Sequence, residues 1–118
     1  MRAAVVLLIG ALGACSRPPP DTTGAEGDPQ QGKAAIAQAH CGACHRIPGL
    51  ADAHGEVGPP LGGIGRRTVI AGVLPNTPAN LASWIRTPQA VKPGDAMPNA
   101  GLGERQARDI AAYLATLR

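Results

Sequence analysis

The clearest hydrophobic periodicity in the chain lies near its C-terminal end. After Glu104, the large apolar residues Ile110, Leu114 and Leu117 recur at the spacing that places them on one face of a helix. Glu104 in the first turn and Arg118 at the end also suit the helix dipole. The pattern therefore predicts an amphipathic helix over residues 104–117.

A second helix is predicted at residues 30–39 from its start signal and its composition. Asp28 followed by Pro29 is a typical N-cap and first helical position, and good helix formers follow. Ile36 is the only large apolar residue in this stretch. Gly32 lies in mid-helix, where it lowers helix propensity but would allow another helix to approach closely.

A third helix is predicted to begin at the pair Thr77 and Pro78. Pro88 should end it after Arg86, because proline cannot continue a helix. No segment shows the alternation of apolar and polar residues that is typical of a half-buried strand. The elements together predict an all-α fold.

The N-terminal segment is typical of an export signal. Arg2 is followed by an apolar run from Ala3 to Leu12, which is too short to span a bilayer as a typical helix. The residues Leu-Gly-Ala-Cys ending at Cys15 resemble the cleavage box of bacterial lipoproteins, in which the cysteine becomes the lipidated first residue. An ordinary signal peptide cleaved nearby and an uncleaved anchor are the alternatives.

The segment that follows has a linker composition. It reads SRPPPDTTGAEGDPQ and shows no apolar periodicity. We therefore expect a signal peptide at 1–14, a lipidated N-terminus and flexible linker at 15–28, and one folded domain at 29–118. A disordered N-terminus without a set role is the alternative interpretation.

Composition limits what this domain can use as its core. Aromatic residues make up 2%, namely Trp84 and Tyr113, while the chain has 16 Gly and 12 Pro. Large aromatics usually carry much of the buried area of a small core, so this domain needs a staple, a metal or a cofactor. The net charge of +3 is small, and no basic, aromatic-rich stretch suggests nucleic-acid binding.

The strongest chemical signal is the CGACH segment, residues Cys41 to His45. Two thiols three positions apart in a helix-like segment can add to the two vinyl groups of one haem. The next residue, His45, is then held beneath the iron as its proximal ligand. The spacing thus predicts one covalently attached haem c.

Three other interpretations of the same segment are weaker. A thioredoxin-type couple would need a βαβ pattern, and a zinc site lacks a second Cys pair, with only His40 and His54 nearby. If the two cysteines formed a structural disulfide, the position of His45 directly after them would be a coincidence. The cysteine count favours haem, because one lipid on Cys15 and one haem account for all three cysteines.

Met97 is the predicted distal ligand of the haem iron. Electron-transfer haems often pair His with Met, and Met1 would be lost with the signal. Met97 lies in a stiff loop, reading KPGDAMP, that contains two prolines and a glycine. A packing role for Met97 and a ligand role for His54 are the alternatives.

The order of these motifs resembles the class I cytochrome c domain over residues 28–118. The motifs are CGACH, GPPLGGIGRR, a Trp-bearing helix, KPGDAMP and a final helix ending AAYLATL. The chain is most similar to the cytochrome c domain of subunit II in caa-type cytochrome c oxidases and to small stand-alone relatives. The resemblance implies about four short helices around one covalent haem, with long loops rich in Gly and Pro.

The resemblance also implies roles for residues near the haem. The Pro59 carbonyl would accept the Nδ1–H of the ligand histidine, and Leu61 would pack on the haem. Trp84 would donate to a propionate, and Arg66 or Arg67 would neutralise one. It further implies that Gly32 and Tyr113 form the contact where the first and last helices cross, with Ile36 standing where an aromatic is common.

The expected function is that of a membrane-tethered carrier of single electrons in a respiratory chain. It would exchange electrons with a terminal oxidase or a quinol/cytochrome c reductase, and it would catalyse no reaction itself. We expect an exported lipoprotein facing the periplasm or the outer side of the cytoplasmic membrane. A haem sensor or small-molecule enzyme with a labile distal ligand is one alternative, and a fixed subunit of an oxidase or dehydrogenase is another.

Overall fold

The computed structural model describes residues 27–118 as a set of short helices joined by long loops. The predicted signal peptide, Cys15 and most of the predicted linker lie outside the described residues. The helices and strands are α1 (Pro29–Gln38), β1 (Val69–Ile70), β2 (Leu74–Pro75), α2 (Pro78–Arg86), α3 (Pro88–Val91) and α4 (Glu104–Ala115). Single 3₁₀ turns lie at Cys41–Ala43 and Ile64–Arg66. The predicted all-α class with about four short helices is confirmed.

The start signals of α1 and α2 act as the sequence predicts. The Asp28 carboxylate accepts the backbone N–H of Gln30 at 2.8 Å, and the Thr77 hydroxyl accepts that of Asn80 at 3.1 Å. Each helix then begins with proline, whose missing N–H costs nothing in the first turn. α2 ends at Arg86, as predicted.

The last helix supplies the core of the domain. Ile110 and Leu114 are only 2% and 4% exposed, and α4 contacts both α1 and α2. α4 ends at Ala115, two residues before the predicted end. The Thr116 hydroxyl donates to the Tyr113 carbonyl at 2.6 Å, in addition to the Thr116 backbone N–H that donates to the same carbonyl at 3.0 Å.

α1 crosses α4 at Gly32, where the two backbones touch. A Cβ at this position would overlap the carbonyl of Asp109 and the N–H of Ile110. Ile36, one turn further along α1, is 1% exposed and fills the core beside the crossing. Tyr113 lies one turn beyond Asp109 and donates its hydroxyl to the Pro48 carbonyl at 2.7 Å. The expected contact therefore consists of Gly32 against the α4 backbone, with Tyr113 holding a neighbouring loop.

A buried carboxylate on α4 adds hydrogen bonds at this helix crossing. Asp109 is 6% exposed and accepts the backbone N–H of Asp28 at 2.8 Å. Arg105, one turn earlier, also reaches the Asp109 carboxylate, at 3.4 Å. A buried carboxylate needs such donors, and its charge also suits the N-terminus of α1. No pattern in the sequence marks this contact.

A small antiparallel hairpin is the one departure from an entirely helical prediction within residues 27–118. In its register, Ile70 pairs with Leu74 and Val69 pairs with Pro75. The turn contains two successive residues with positive φ, Ala71 at 53° and Gly72 at 71°. Strands of two residues are too short to show an alternating pattern, so the sequence carries no readable signal for them.

The described part of the chain offers no membrane-crossing segment. Between residues 27 and 118, no helix combines the length and the apolar composition needed to cross a bilayer.

The α1–α4 crossing predicts a large cost for the smallest added side chain. Gly32→Ala would force the two helix backbones apart, so we expect the free energy of unfolding to fall by about 3 kcal/mol or more. Urea unfolding followed by circular dichroism measures this loss. Gly62→Ala is the matched control, because its added Cβ would meet only Pro48 at 3.5 Å. Equal stability of the two variants would show that the crossing tolerates a side chain.

Candidate functional site

The CGACH segment follows α1 directly and is presented by one tight turn. His40 adopts a left-handed backbone with φ of 57°, which ends the helix and redirects the chain. The His45 N–H then donates to the Cys41 carbonyl at 3.0 Å. Cys41 and Cys44 are half-buried and are not joined to each other. The helix-like geometry expected of the segment is thus present.

The two cysteines and His45 line a cleft that also contains residues distant in the sequence. The cleft has a volume of about 580 Å³, and Trp84 from α2 and Met97 from the loop before α4 line it too. Its other apolar lining includes Val57, Leu61, Ile64, Val69, Ile70 and Leu81. The fold therefore brings together the four side chains predicted to attach the haem and ligate its iron.

The imidazole of His45 is held in one tautomer by a backbone carbonyl. Its Nδ1 lies 2.7 Å from the Pro59 oxygen. A carbonyl oxygen can only accept a hydrogen bond, so Nδ1 carries a proton, and in the neutral imidazole Nε2 is the atom left to coordinate a metal. Gly58 lies directly against the ring, with no room for a side chain between them.

The loop that carries Pro59 is itself tied to the CGACH segment by backbone hydrogen bonds. The Gly58 N–H donates to the Cys44 carbonyl at 2.8 Å, and the Leu61 N–H donates to the Arg46 carbonyl at 2.9 Å. The orientation of His45 is therefore determined by backbone on both sides of Pro59.

The thiol environment argues against a redox-active cysteine pair. Burial raises the pKa of the Cys41 thiol; a backbone hydrogen bond lowers that pKa by less, and a charge on Cys44 would add a still smaller rise. Reactive couples work in the opposite way, by lowering the pKa of one thiol. Within residues 27–118, no three His, Cys, Asp or Glu side chains gather as a zinc site would require.

Met97 is half-buried in a loop whose polar groups are paired. Its N–H donates to the Asp95 carboxylate at 3.0 Å, and Lys92 lies 3.1 Å from the same carboxylate. The hydrogen bond from the Met97 backbone, followed by that from Lys92, lowers the pKa of Asp95. These bonds extend the ionised range of the Asp95 carboxylate to lower pH.

The other residues implied by the resemblance divide into those that line the cleft and those that do not. Pro59, Leu61 and Trp84 all line it. Arg66, the expected propionate partner, is not among the lining residues, whereas Arg67 is. Arg67 donates to the Pro60 carbonyl at 2.6 Å, which directs its side chain along this loop. Arg66 is the last residue of the 3₁₀ turn Ile64–Arg66.

The alternative distal ligand is placed away from the cleft. His54 is exposed, is not among the lining residues, and forms an isolated backbone bridge with Arg46. Of the two candidates that the sequence offers, only Met97 reaches the cleft.

Several residues that line the cleft could not be predicted, because they are spread over separate segments of the sequence and share no pattern. The hairpin contributes Val69 and Ile70, and the segments beside it contribute Ile64 and Leu81. These residues lie in a 3₁₀ turn, a two-residue strand and a short helix, so no periodicity marks them as part of a wall. The unusual run of apolar residues around an otherwise Gly-rich stretch is the only available signal.

A second, more open hollow lies between α1 and residues 49–53. It is larger, at about 910 Å³, and Lys33, His40 and Asp52 lie on its wall. Neither cysteine thiol, His45 nor Met97 lines it. We therefore assign the chemistry of the CGACH segment to the smaller cleft.

The residues of the smaller cleft fit a covalently attached haem. Its volume falls in the range of about 300–1,000 Å³ that is typical of cofactor sites, and its lining is mainly apolar. Two thiols at the haem-attachment spacing, an imidazole with a free Nε2 and a thioether sulfur are the donor set of a His/Met haem.

Comparison with known proteins agrees with this site. The family model described as "Cytochrome c" matches residues 29–118. The chain is 37% identical over 89 residues to a protein named cytochrome c oxidase subunit 2 from Alkalihalophilus pseudofirmus. It is 35% identical over 88 residues to a protein of the same name from Bacillus sp. strain PS3.

The relatives are much longer than this chain. The aligned segments cover 75% and 71% of this chain but 25% of each relative, so the chain spans about a quarter of their length. The sequence-based resemblance to the cytochrome c domain of oxidase subunit II is confirmed.

The packing beneath His45 predicts that residue 58 must be glycine. In Gly58→Ala the new Cβ would push the ring away from the Pro59 carbonyl or displace the loop, so stability should fall by about 1–3 kcal/mol. Urea unfolding of the haem-loaded protein, followed by haem absorption, measures this loss. The control is again Gly62→Ala, and a Gly58→Ala variant as stable as that control would contradict the tight packing of His45.

Proposed function

The chain belongs to the cytochrome c family, and from this premise we propose that it is a membrane-tethered carrier of single electrons. Domains of this family bind haem c covalently through a CXXCH-type segment, and residues 41–45 form such a segment here. Cys41 and Cys44 would form the two thioether bonds. The observation that carries the proposal is the cleft that gathers these thiols, His45 and Met97.

The proposed axial ligands are Nε2 of His45 and the sulfur of Met97. When bound, the haem iron supplies a one-electron couple between its ferric and ferrous states. The Pro59 carbonyl holds the His45 ring in place and increases the basicity of Nε2 through the 2.7 Å hydrogen bond. A thioether ligand favours the reduced iron, so Met97 would raise the reduction potential.

The other cleft residues would bind the haem periphery. We propose that Arg67, which lines the cleft, neutralises a propionate in place of Arg66. Trp84 would donate its indole N–H to a propionate, and Leu61 would pack on the porphyrin face. The apolar lining would exclude water from the iron and so limit the reorganisation that accompanies electron transfer.

Electron exchange would take place across the apolar rim of the cleft. Val57 and Val69 line the cleft and are 75% and 51% exposed, so they offer an apolar contact surface at its rim. We propose a membrane redox complex as partner, either a terminal oxidase or a quinol/cytochrome c reductase. The relatives named cytochrome c oxidase subunit 2 support the oxidase.

A lipid on Cys15 would keep the carrier beside such complexes. With residues 1–14 removed as a signal peptide, residues 15–28 would tether the domain of residues 29–118 to the membrane surface. Such a tether raises the local concentration of the carrier at its partners, which compensates for the modest net charge of +2 that remains once Arg2 is removed with the signal. The protein would then act on the outer side of the cytoplasmic membrane or in the periplasm.

A sensor or enzyme would require an exchangeable distal ligand. The paired polar groups around Met97 favour a fixed ligand instead. A carrier should therefore bind carbon monoxide slowly in its reduced form, whereas a sensor should bind it rapidly. Purification of the solubilised membrane complex under mild conditions would separate a free carrier from a fixed subunit.

We expect Met97→Ala to leave the haem attached but to lower its reduction potential by on the order of 100 mV or more, since axial ligands shift potentials over about 0.8 V. Mass spectrometry checks attachment, and a redox titration measures the potential. Val73→Ala is the control, because Val73 is 56% exposed and does not line the cleft. An unchanged potential in Met97→Ala would refute the ligand assignment and with it the proposed carrier.

We expect Cys15→Ser to release the protein from the membrane fraction or to block its processing. Cell fractionation and the mass of the mature protein measure the two effects. Ser16→Ala changes the neighbouring residue and should leave both unchanged. Normal processing and full membrane association of the Cys15→Ser protein would show that the anchor is not this cysteine.

A further inference from the structure

We infer that Gln89 is the positioning residue for the Met97 loop and so controls how firmly Met97 binds the iron. The inference rests on the proposed role of Met97 as an axial ligand. Gln89 lies in α3, outside the loop that it contacts, and it is not among the residues that line the cleft.

One side-chain amide makes three hydrogen bonds to this loop. Gln89 Nε2 donates to the carbonyls of Asp95 at 2.7 Å and Met97 at 2.8 Å. Gln89 Oε1 accepts the N–H of Gly94 at 3.0 Å. The amide cannot be reversed, because its oxygen would then face two carbonyl oxygens. Both donors and the acceptor of Gln89 are therefore used on the Met97 loop.

The short helix α3, which carries Gln89, is itself held in place. Pro88, the first residue of α3, is among the most completely buried residues of the described chain. The backbone N–H of Gln89 donates to the side-chain oxygen of Asn99 at 3.3 Å, beyond the far end of the loop. Gln89 therefore connects both ends of the loop to the protein core.

The loop needs a brace of this kind because it supplies little regular hydrogen bonding of its own. Pro93 and Pro98 have no N–H to donate, and Gly94 adopts a positive φ of 81°. The Asp95 N–H donates to the Lys92 carbonyl at 3.1 Å, which closes one turn. The carbonyls of Asp95 and Met97, which flank Ala96, each accept a hydrogen bond from Gln89.

Loss of these bonds should loosen the ligand without unfolding the domain. Each bond contributes modestly on its own, but together they should change the population of Met97-dissociated molecules by about tenfold or more. The exposed iron site would then accept an external ligand more often. This effect is separate from global stability, because α1, α2 and α4 form the core without Gln89.

The test compares two Gln89 variants with a matched glutamine variant, each as the full-length haem-loaded protein. Gln89→Leu removes all three bonds, and Gln89→Glu keeps an acceptor for Gly94 but loses both donors. Gln31→Leu is the control, because Gln31 is exposed in α1 and lines neither hollow. The readouts are the weak red absorption band of Met–Fe(III) bonding, carbon monoxide binding by the reduced protein, and NMR exchange of the Gly94 amide proton.

We expect both Gln89 variants to bind carbon monoxide at least about tenfold faster than Gln31→Leu, with a weaker red band. Exchange of the Gly94 amide proton should accelerate in Gln89→Leu, while amides of α1 and α4 stay protected. Uniform loss of protection in all helices would overturn the inference by showing a general structural role.

Different results would contradict the proposed ligand role of Met97 and the inferred positioning role of Gln89. If the unsubstituted protein shows the red band and both Gln89 variants match Gln31→Leu, the ligand assignment stands and the inference about Gln89 is overturned. If the unsubstituted protein itself lacks the band, Met97 is not the ligand, and the inference falls with that assignment.

Discussion

The backbone contact between α1 and α4 at Gly32 is the constraint on which the rest of the structure depends. α1 ends where the CGACH segment begins, so the angle at which α1 crosses α4 decides where Cys41 and His45 lie. The Asp109 carboxylate holds the start of α1 to the same helix. Because the contact leaves no space for a side chain, α1 can pack against α4 in only one position. That position determines where the site lies.

The shortage of aromatic residues gives the cleft a second role, in stability. The buried core consists mainly of Ala, Ile and Leu, and both Trp84 and Tyr113 are only partly buried beside it. Such a core is small for a domain of this size, and a large apolar cofactor in a cleft of about 580 Å³ would extend it. Haem binding and folding are therefore expected to be strongly coupled in this domain, since cofactor that binds only the folded state stabilises it.

The two proposed iron ligands are held by different physical means. His45 is oriented by backbone, through the Pro59 carbonyl and the close packing of Gly58. Met97 lies in a loop with few backbone hydrogen bonds of its own, and side chains of Gln89 and Asp95 pair its polar groups. The first arrangement tolerates little substitution, whereas the second can be adjusted by changing single side chains, which makes the Met97 side the natural place to tune ligand strength.

Features that depend on neighbouring residues along the chain could be predicted before the structure was known. The caps at Asp28 and Thr77, the apolar face of α4 and the spacing of CGACH follow from local geometry, and all could be predicted. The way the loops fold placed Arg67 rather than Arg66 on the cleft wall, formed the hairpin and its part of that wall, and brought Gln89 to the Met97 loop. These features depend on how loops without periodicity fold over the helices, and such contacts between distant residues leave no repeating pattern in the sequence.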